Sequence, residues 1–342
     1  TTGSSNTAVG KDALNANTTG NKNVAVGLGA LINTTTSNGN TAIGWQALTG
    51  TSGNNNTAVG RQALENNTAS DNAAFGHTAL RDNTSGSNNA AFGDRSLQKN
   101  TTGGNNTAAG RSALQQNTTG SNNVAVGSGC LDVNTTGNSN VAVGTSALDA
   151  NTTASHNTAI GVSALSENTT GTQNTACGGN SLDANTTGNY NTAVGRAALG
   201  ANTTGGSNVA VGVNALDANT TGNQNNAVGY TALSANTTGI NNDAFGHASM
   251  LSNTTGGYNI AMGRASLDAN TEGSNNVALG PFALTNNTTA DDNVAVGYEA
   301  LKQNVTGTQN VAVGNHALDT NTTGTGNTVI GFGAGTDITT GE

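Results

Sequence analysis

Small and apolar residues recur along this chain with a strict period. A triplet such as Val24-Ala25-Val26 or Thr57-Ala58-Val59 ends each time on a glycine, and four residues later a leucine follows in eighteen coils, with Met250 and Gly335 as the exceptions. The glycine falls at Gly10, Gly27 and Gly44 and continues to Gly314 and Gly331, twenty times in all. The step is 17 residues, except from Gly44 to Gly60 and from Gly60 to Gly76, where it is 16. Self-similarity at such a period marks a stacked repeat in which each unit buries its apolar positions only against its neighbours. Counting from the glycine as position 0, every coil has Asn at −4 and an apolar residue at −1, and the consensus is Thr or Val at −3 and Ala at −2. Beyond the glycine come Ala at +3, Leu at +4, Asn at +7, Thr at +8 and +9, and Gly at +10.

The pattern predicts an all-β chain, a parallel β-solenoid or β-roll of about twenty 17-residue coils, as a single repeat domain over residues 1–342. Residues 332–342 form a divergent terminal coil that loses its Leu and the Asn after it. At roughly 4.8 Å per stacked strand, twenty coils would make a rod of about 95 Å. The first coil starts in register with no cap before it, so an upstream continuation is expected.

Each column has its own physical requirement. Asn at −4 never varies, from Asn6, Asn23 and Asn40 through Asn123 and Asn140 to Asn310. Amides stacked at strand spacing can hydrogen-bond along the ladder, so this column is expected to be buried. Ala at −2 shares its face by alternation. Leu at +4, including Leu14, Leu31, Leu114, Leu148, Leu216 and Leu318, forms an aliphatic spine. The spine, the Ala columns and the apolar column at −1 are expected to make the core. The −3 and −1 positions, as in Val24 and Val26, Val124 and Val126, Val209 and Val211, and Val294 and Val296, are also a candidate interaction face. The competing reading is that this face is simply the coil's own core. Between Gly and Asn, stretches such as Arg61–Glu65 and Arg264–Asp268 carry helix formers and opposite charges four residues apart, which suggests a short helical turn or an irregular second strand. The Asn-Thr-Thr-Gly that follows reads as a turn.

Composition narrows the class. There are 49 Gly, one Pro and 8% charged residues, far below the roughly 25% of ordinary domains. The net charge of −9 is spread thinly, and without a basic patch nucleic acid is not an expected partner. No apolar run approaches the ~20 residues that span a bilayer, so no membrane insertion by this segment is expected. Cys130 and Cys177 fall in different columns about three coils apart, too far to bridge, and read as buried stand-ins for Ala and Val.

The motifs "NVAVG" and "NTAIG" preceded by "TTG" or "TSG", most closely "SNNVAVG" at 121–127 and "TQNVAVG" at 308–314, resemble the head repeats of YadA-type trimeric autotransporter adhesins and similar repeats of bacteriophage tail fibres. The resemblance runs through all twenty coils. The family repeat is about 14 residues, and the three extra residues here form the segment before Leu. The resemblance implies a β-roll, often trimeric, displayed outside a cell or on a virion, that presents or binds a surface. The expected partners are further copies of the chain and a host-cell receptor or glycan.

No catalytic constellation or cofactor motif is visible. His77, His156, His247 and His316 lie in three columns, and His77 and His247 share one but are ten coils apart. Asp132, Asp149, Asp183, Asp217, Asp268 and Asp319 share the column after Leu, where a carboxylate ladder could hold divalent cations weakly but reads better as solvating chemistry. The many Asn-x-Thr sequons, such as those at Asn17 and Asn100, read as a repeated turn rather than glycan acceptors. The Thr columns raise an ice-binding alternative, against which stands their adjacency, since neighbours on an extended strand point to opposite faces. The Thr-x-Val face is interrupted for that purpose by Asn226, Asp243 and Phe residues. Glycan binding would favour an aromatic-lined groove, and Trp45, at the start of the first short coil, is the only Trp.

Overall fold

The computed structural model describes residues 2–341 and divides into two units, Thr1–Thr172 and Gln173–Glu342. Each unit is a parallel β-solenoid with ten three-residue strands. Unit 1 runs from β1 (Thr7–Val9) to β10 (Thr158–Ile160), and unit 2 from β11 (Thr175–Cys177) to β20 (Thr328–Ile330). Strands pair in parallel with identical columns in register, as in Val124 with Val141 and Ala125 with Ala142. The two short steps keep this register, with Thr41 opposite Thr57 and Thr57 opposite Ala73.

The strand-ending glycine is required by geometry. Its φ lies between about 126° and 144° in every coil. A Cβ on Gly144 would stand 2.4 Å from the carbonyl oxygen of Gly161 in the next coil. No L-residue fits both the dihedral and the contact.

The segment before Leu is not a helical turn, and among the described residues no helix is present. Residues at +2 and +4 take left-handed φ, as in Gln62 at 55° and Leu64 at 53°, while those between them do not. A helix needs one sign of φ throughout. The backbone bonds run mainly between coils: Leu64 N–H donates to Ala79 O at 3.0 Å and Gln62 N–H to Trp45 O at 2.9 Å. The opposite charges four residues apart therefore do not pair. Arg61 lies over the Trp45 ring at 4.8 Å, Arg264 over Phe282 at 5.5 Å, and Glu65 accepts from the Gln62 amide. A left-handed Leu costs about 1–2 kcal/mol. Here that geometry aims an apolar side chain inward: Leu31, Leu114, Leu148, Leu216 and Leu318 are all fully buried, and Leu14 in the first coil is half-buried.

The interior has an apolar part and an amide part. Ala at −2 and +3 and Leu at +4 make the first. The second is a double column of asparagines. At −4, Asn23, Asn40, Asn123, Asn140 and Asn310 are fully buried, and Asn6 in the first coil is half-buried. The Oδ1 of each accepts the backbone N–H of the next, as from Asn140 to Asn123 at 2.9 Å. Its Nδ2 donates to the carbonyl at +10 of its own coil, as from Asn123 to Gly137 at 2.9 Å. The Asn at +7, expected to be only a turn residue, is a second buried ladder: Asn117 Nδ2 donates to Asn100 Oδ1 at 2.7 Å and to Gly120 O at 2.9 Å. Two amides from opposite ends of the coil thus meet on one carbonyl, and this closes the loop.

Where the second ladder breaks, its chemistry is replaced. Thr34 stands at +7 and the next coil is one residue short, and there the Thr34 and Ser52 hydroxyls bond to each other at 2.8 Å. Asn17 Oδ1, left without an amide above it, is a buried acceptor with no partner. Asn321 Oδ1 is orphaned in the same way at the other end, below the coil that carries Ile338 at +7.

Candidate functional site: the outward sheet face

Because strand side chains alternate, burying Ala at −2 turns −3 and −1 outward. Ala25, Ala125, Ala210 and Ala295 are fully buried, while Val24, Val26, Val124, Val209, Val211, Val294 and Val296 are half-buried and Val126 is 39% exposed. The −1 column is therefore not part of the core. The strand between the two walls leaves room inside only for Ala, and the bulkier apolar residues at −1 stand on the other side of the backbone. All eight candidate face residues lie on this surface, with none directed inward.

The −1 column contains Val, Ile, Leu, Met, Phe, Ala or Cys and never a polar side chain other than the thiol. Larger members stack on one another: the Phe75 and Phe92 rings are 5.1 Å apart and inclined by 8°. Cys177 is exposed in this column rather than buried, while Cys130, at +3, replaces Ala in the core, and both thiols are free. Burial pushes the Cys130 thiol up to about 12, which makes it inert. In unit 2, Asn226 in β14 (Asn226–Val228) donates its Nδ2 to Asp243 Oδ1 in β15 (Asp243–Phe245) at 2.7 Å. This polar pair at −3 sits half-buried beside an unbroken −1 column.

The titratable groups are scattered along the coils. His77 contacts Asp94 at 2.9 Å, His247 stacks on Tyr230, and His316 lies between Glu299 at 3.6 Å and Asp319 at 3.3 Å. Among the described residues, no group of three His, Cys, Asp or Glu could hold a metal ion. The +5 carboxylates do not simply solvate the surface. Asp132, Asp149, Asp217 and Asp268 have pKa values raised by burial, and the neighbouring Asp149 adds to the rise at Asp132. One oxygen each of Asp132, Asp268 and Asp319 is buried without a partner. Thr285 in the same column shows the preferred chemistry there, a hydroxyl donating to the carbonyls of Phe282 and Ala265 at 2.7 and 3.2 Å. A carboxylate in that place is partly withdrawn from water, which favours its protonated form.

The sequon asparagine Asn100 is fully buried and bonded within the ladder. The aromatic surface missed in the sequence lies in unit 2, at positions +1 and +2 of successive coils. Phe282, Tyr298, His316 and Phe332 meet edge to face at centroid distances of 6.1, 5.4 and 6.4 Å. Its signal was hidden because the rings alternate between two columns. No protein-family model matches the chain, and no curated protein matches it.

Proposed function

We propose that the protein is a structural and adhesive fibre segment that associates with further copies of itself, as a trimer, through the outward sheet face. In this role it would present or bind a surface outside a cell or on a virion, without catalysis. The observation that supports the reading is the −1 column: apolar residues in all twenty strands, outside the core, ten of them stacked in line within each unit. A solvent-facing sheet would ordinarily show polar residues at such positions. Continuous exposed apolar surface marks an interaction site. Copies of one chain present the same face to one another, as closed symmetric assemblies require.

Cys177 provides the test, because it is exposed in one copy and lies in the proposed interface. Its alkylation by a maleimide is expected to be slow in the native protein. It should speed up at least tenfold in the Val194→Lys/Val211→Lys variant, whose charges occupy the next two positions of the −1 column. Equal, rapid alkylation of both would count against the reading.

A further inference from the structure

The sheet face leaves one feature of the exterior unexplained. In unit 2, the +9 column reads Thr187, Thr204, Thr221, Thr238 and Thr255, and all five are exposed. Among the described residues, none of their hydroxyls has a hydrogen-bond partner. Unit 1 repeats the arrangement from Thr102 to Thr170. Gene duplication alone does not account for the uniformity, because other exposed columns in the same coils vary freely. Position +12 carries Tyr190, Ser207, Gln224 and Asn241, and position +1 carries Arg196, Val213, Tyr230 and His247. A side chain that stays constant, faces solvent and serves no partner inside the fold answers to something outside it.

The neighbouring +8 column is constant for an internal reason, and that reason makes the surface rigid. Thr203 Oγ1 donates to Thr220 O at 3.0 Å, Thr220 to Thr237 O at 3.1 Å and Thr237 to Thr254 O at 3.1 Å. Each hydroxyl is fixed in one orientation with lone pairs left over, and each side chain remains half-exposed. The two adjacent Thr both reach solvent because the chain bends here instead of running extended. This removes the geometric objection that adjacency raises. The fully buried +7 asparagines of these coils, Asn202, Asn219, Asn236 and Asn253, lie next to them in sequence and tie each coil to the next.

We propose that the paired threonine columns at +8 and +9 form an ice-binding surface. Their hydroxyls recur at the coil spacing of roughly 4.8 Å, and a rigid row of hydroxyls can stand in for a row of water molecules in a lattice of similar repeat. The methyl groups beside them order the water between hydroxyls without offering it competing bonds. Across these coils neither column carries a charge. Glu272 at +9 and Val305 at +8 come only further along. A crystalline polysaccharide would share the periodicity, but recognition of sugar rings draws on aromatic faces and these columns have none.

The test is thermal hysteresis and ice recrystallisation inhibition by the intact chain, with circular dichroism to verify the fold. The native protein is expected to separate freezing from melting and to shape ice crystals. Thr204→Lys/Thr221→Lys should reduce the hysteresis at least tenfold, and Gln224→Lys at the exposed +12 position should leave it unchanged. Thr204→Val/Thr221→Val keeps the β-branched shape and removes the hydroxyls, so a loss there assigns the effect to hydrogen bonding. Absence of hysteresis in the native protein, native activity in the double Lys variant, or binding to cellulose in place of ice would overturn the proposal. None of these outcomes depends on whether the sheet face self-associates.

Discussion

The inner and outer columns of the same coil follow different rules. Inside, Asn123 and Leu131 belong to ladders in which each residue completes the bonding or packing of the coils on either side. A change at one rung is felt by its neighbours, so these columns barely vary. Outside, Val126 at −1 is exposed and its equivalents are exposed or half-buried, yet the column never turns polar. Constancy inside is explained by the coil itself. Constancy outside points to a partner.

The contrast can be broken most severely at the glycine. Gly144→Ala puts a Cβ against the Gly161 carbonyl at 2.4 Å with φ at 133°, and we expect a loss of at least ~3 kcal/mol. Urea denaturation followed by circular dichroism would show it. Asn123→Ala removes the acceptor for the Asn140 N–H and one of the donors to Gly137 O. Each buried group left unpaired costs about 1–3 kcal/mol. Hydrogen exchange should show the opening concentrated in the coils that contain Asn106, Asn123 and Asn140.

A smaller effect is expected at the half-buried carboxylates, and it depends on pH. Because burial raises the folded pKa of Asp132, the folded state binds its proton more tightly. The corresponding stability is present below the unfolded carboxylate pKa and is lost as pH rises through the folded value. Asp132→Asn should therefore be more stable than the native protein at pH 7 and indistinguishable from it near pH 3, read as the difference in melting temperature. The smallest change in stability is expected outside: Val209→Lys/Val211→Lys should change the unfolding free energy of a single chain, read by urea denaturation, by no more than about 0.5 kcal/mol per site while abolishing association.

Much of the interior was legible in the sequence, because stacking in register turns each physical demand into a column. The Asn at −4, present in all twenty coils, and the Leu at +4, present in eighteen, were readable since only burial keeps an amide or an aliphatic side chain so constant. The Asn at +7 was readable as constant but not as buried, because Asn-Thr-Thr-Gly is also an ordinary turn sequence. The sign of φ at Gln62 and Leu64 was hidden, since residues that favour helices carry it here and only the bonds to neighbouring coils stabilise it. Which side of the strand the −1 column occupied depended on how much space Ala left inside. That is a property of the closed coil and not of any one residue.

The central claim is that the apolar sheet face is an interface between copies of this chain, and the solution mass by light scattering tests it most directly. The account predicts the mass of three chains for the native protein, falling to one in Val209→Lys/Val211→Lys at unchanged circular dichroism. A native protein with the mass of a single chain at all concentrations would contradict it.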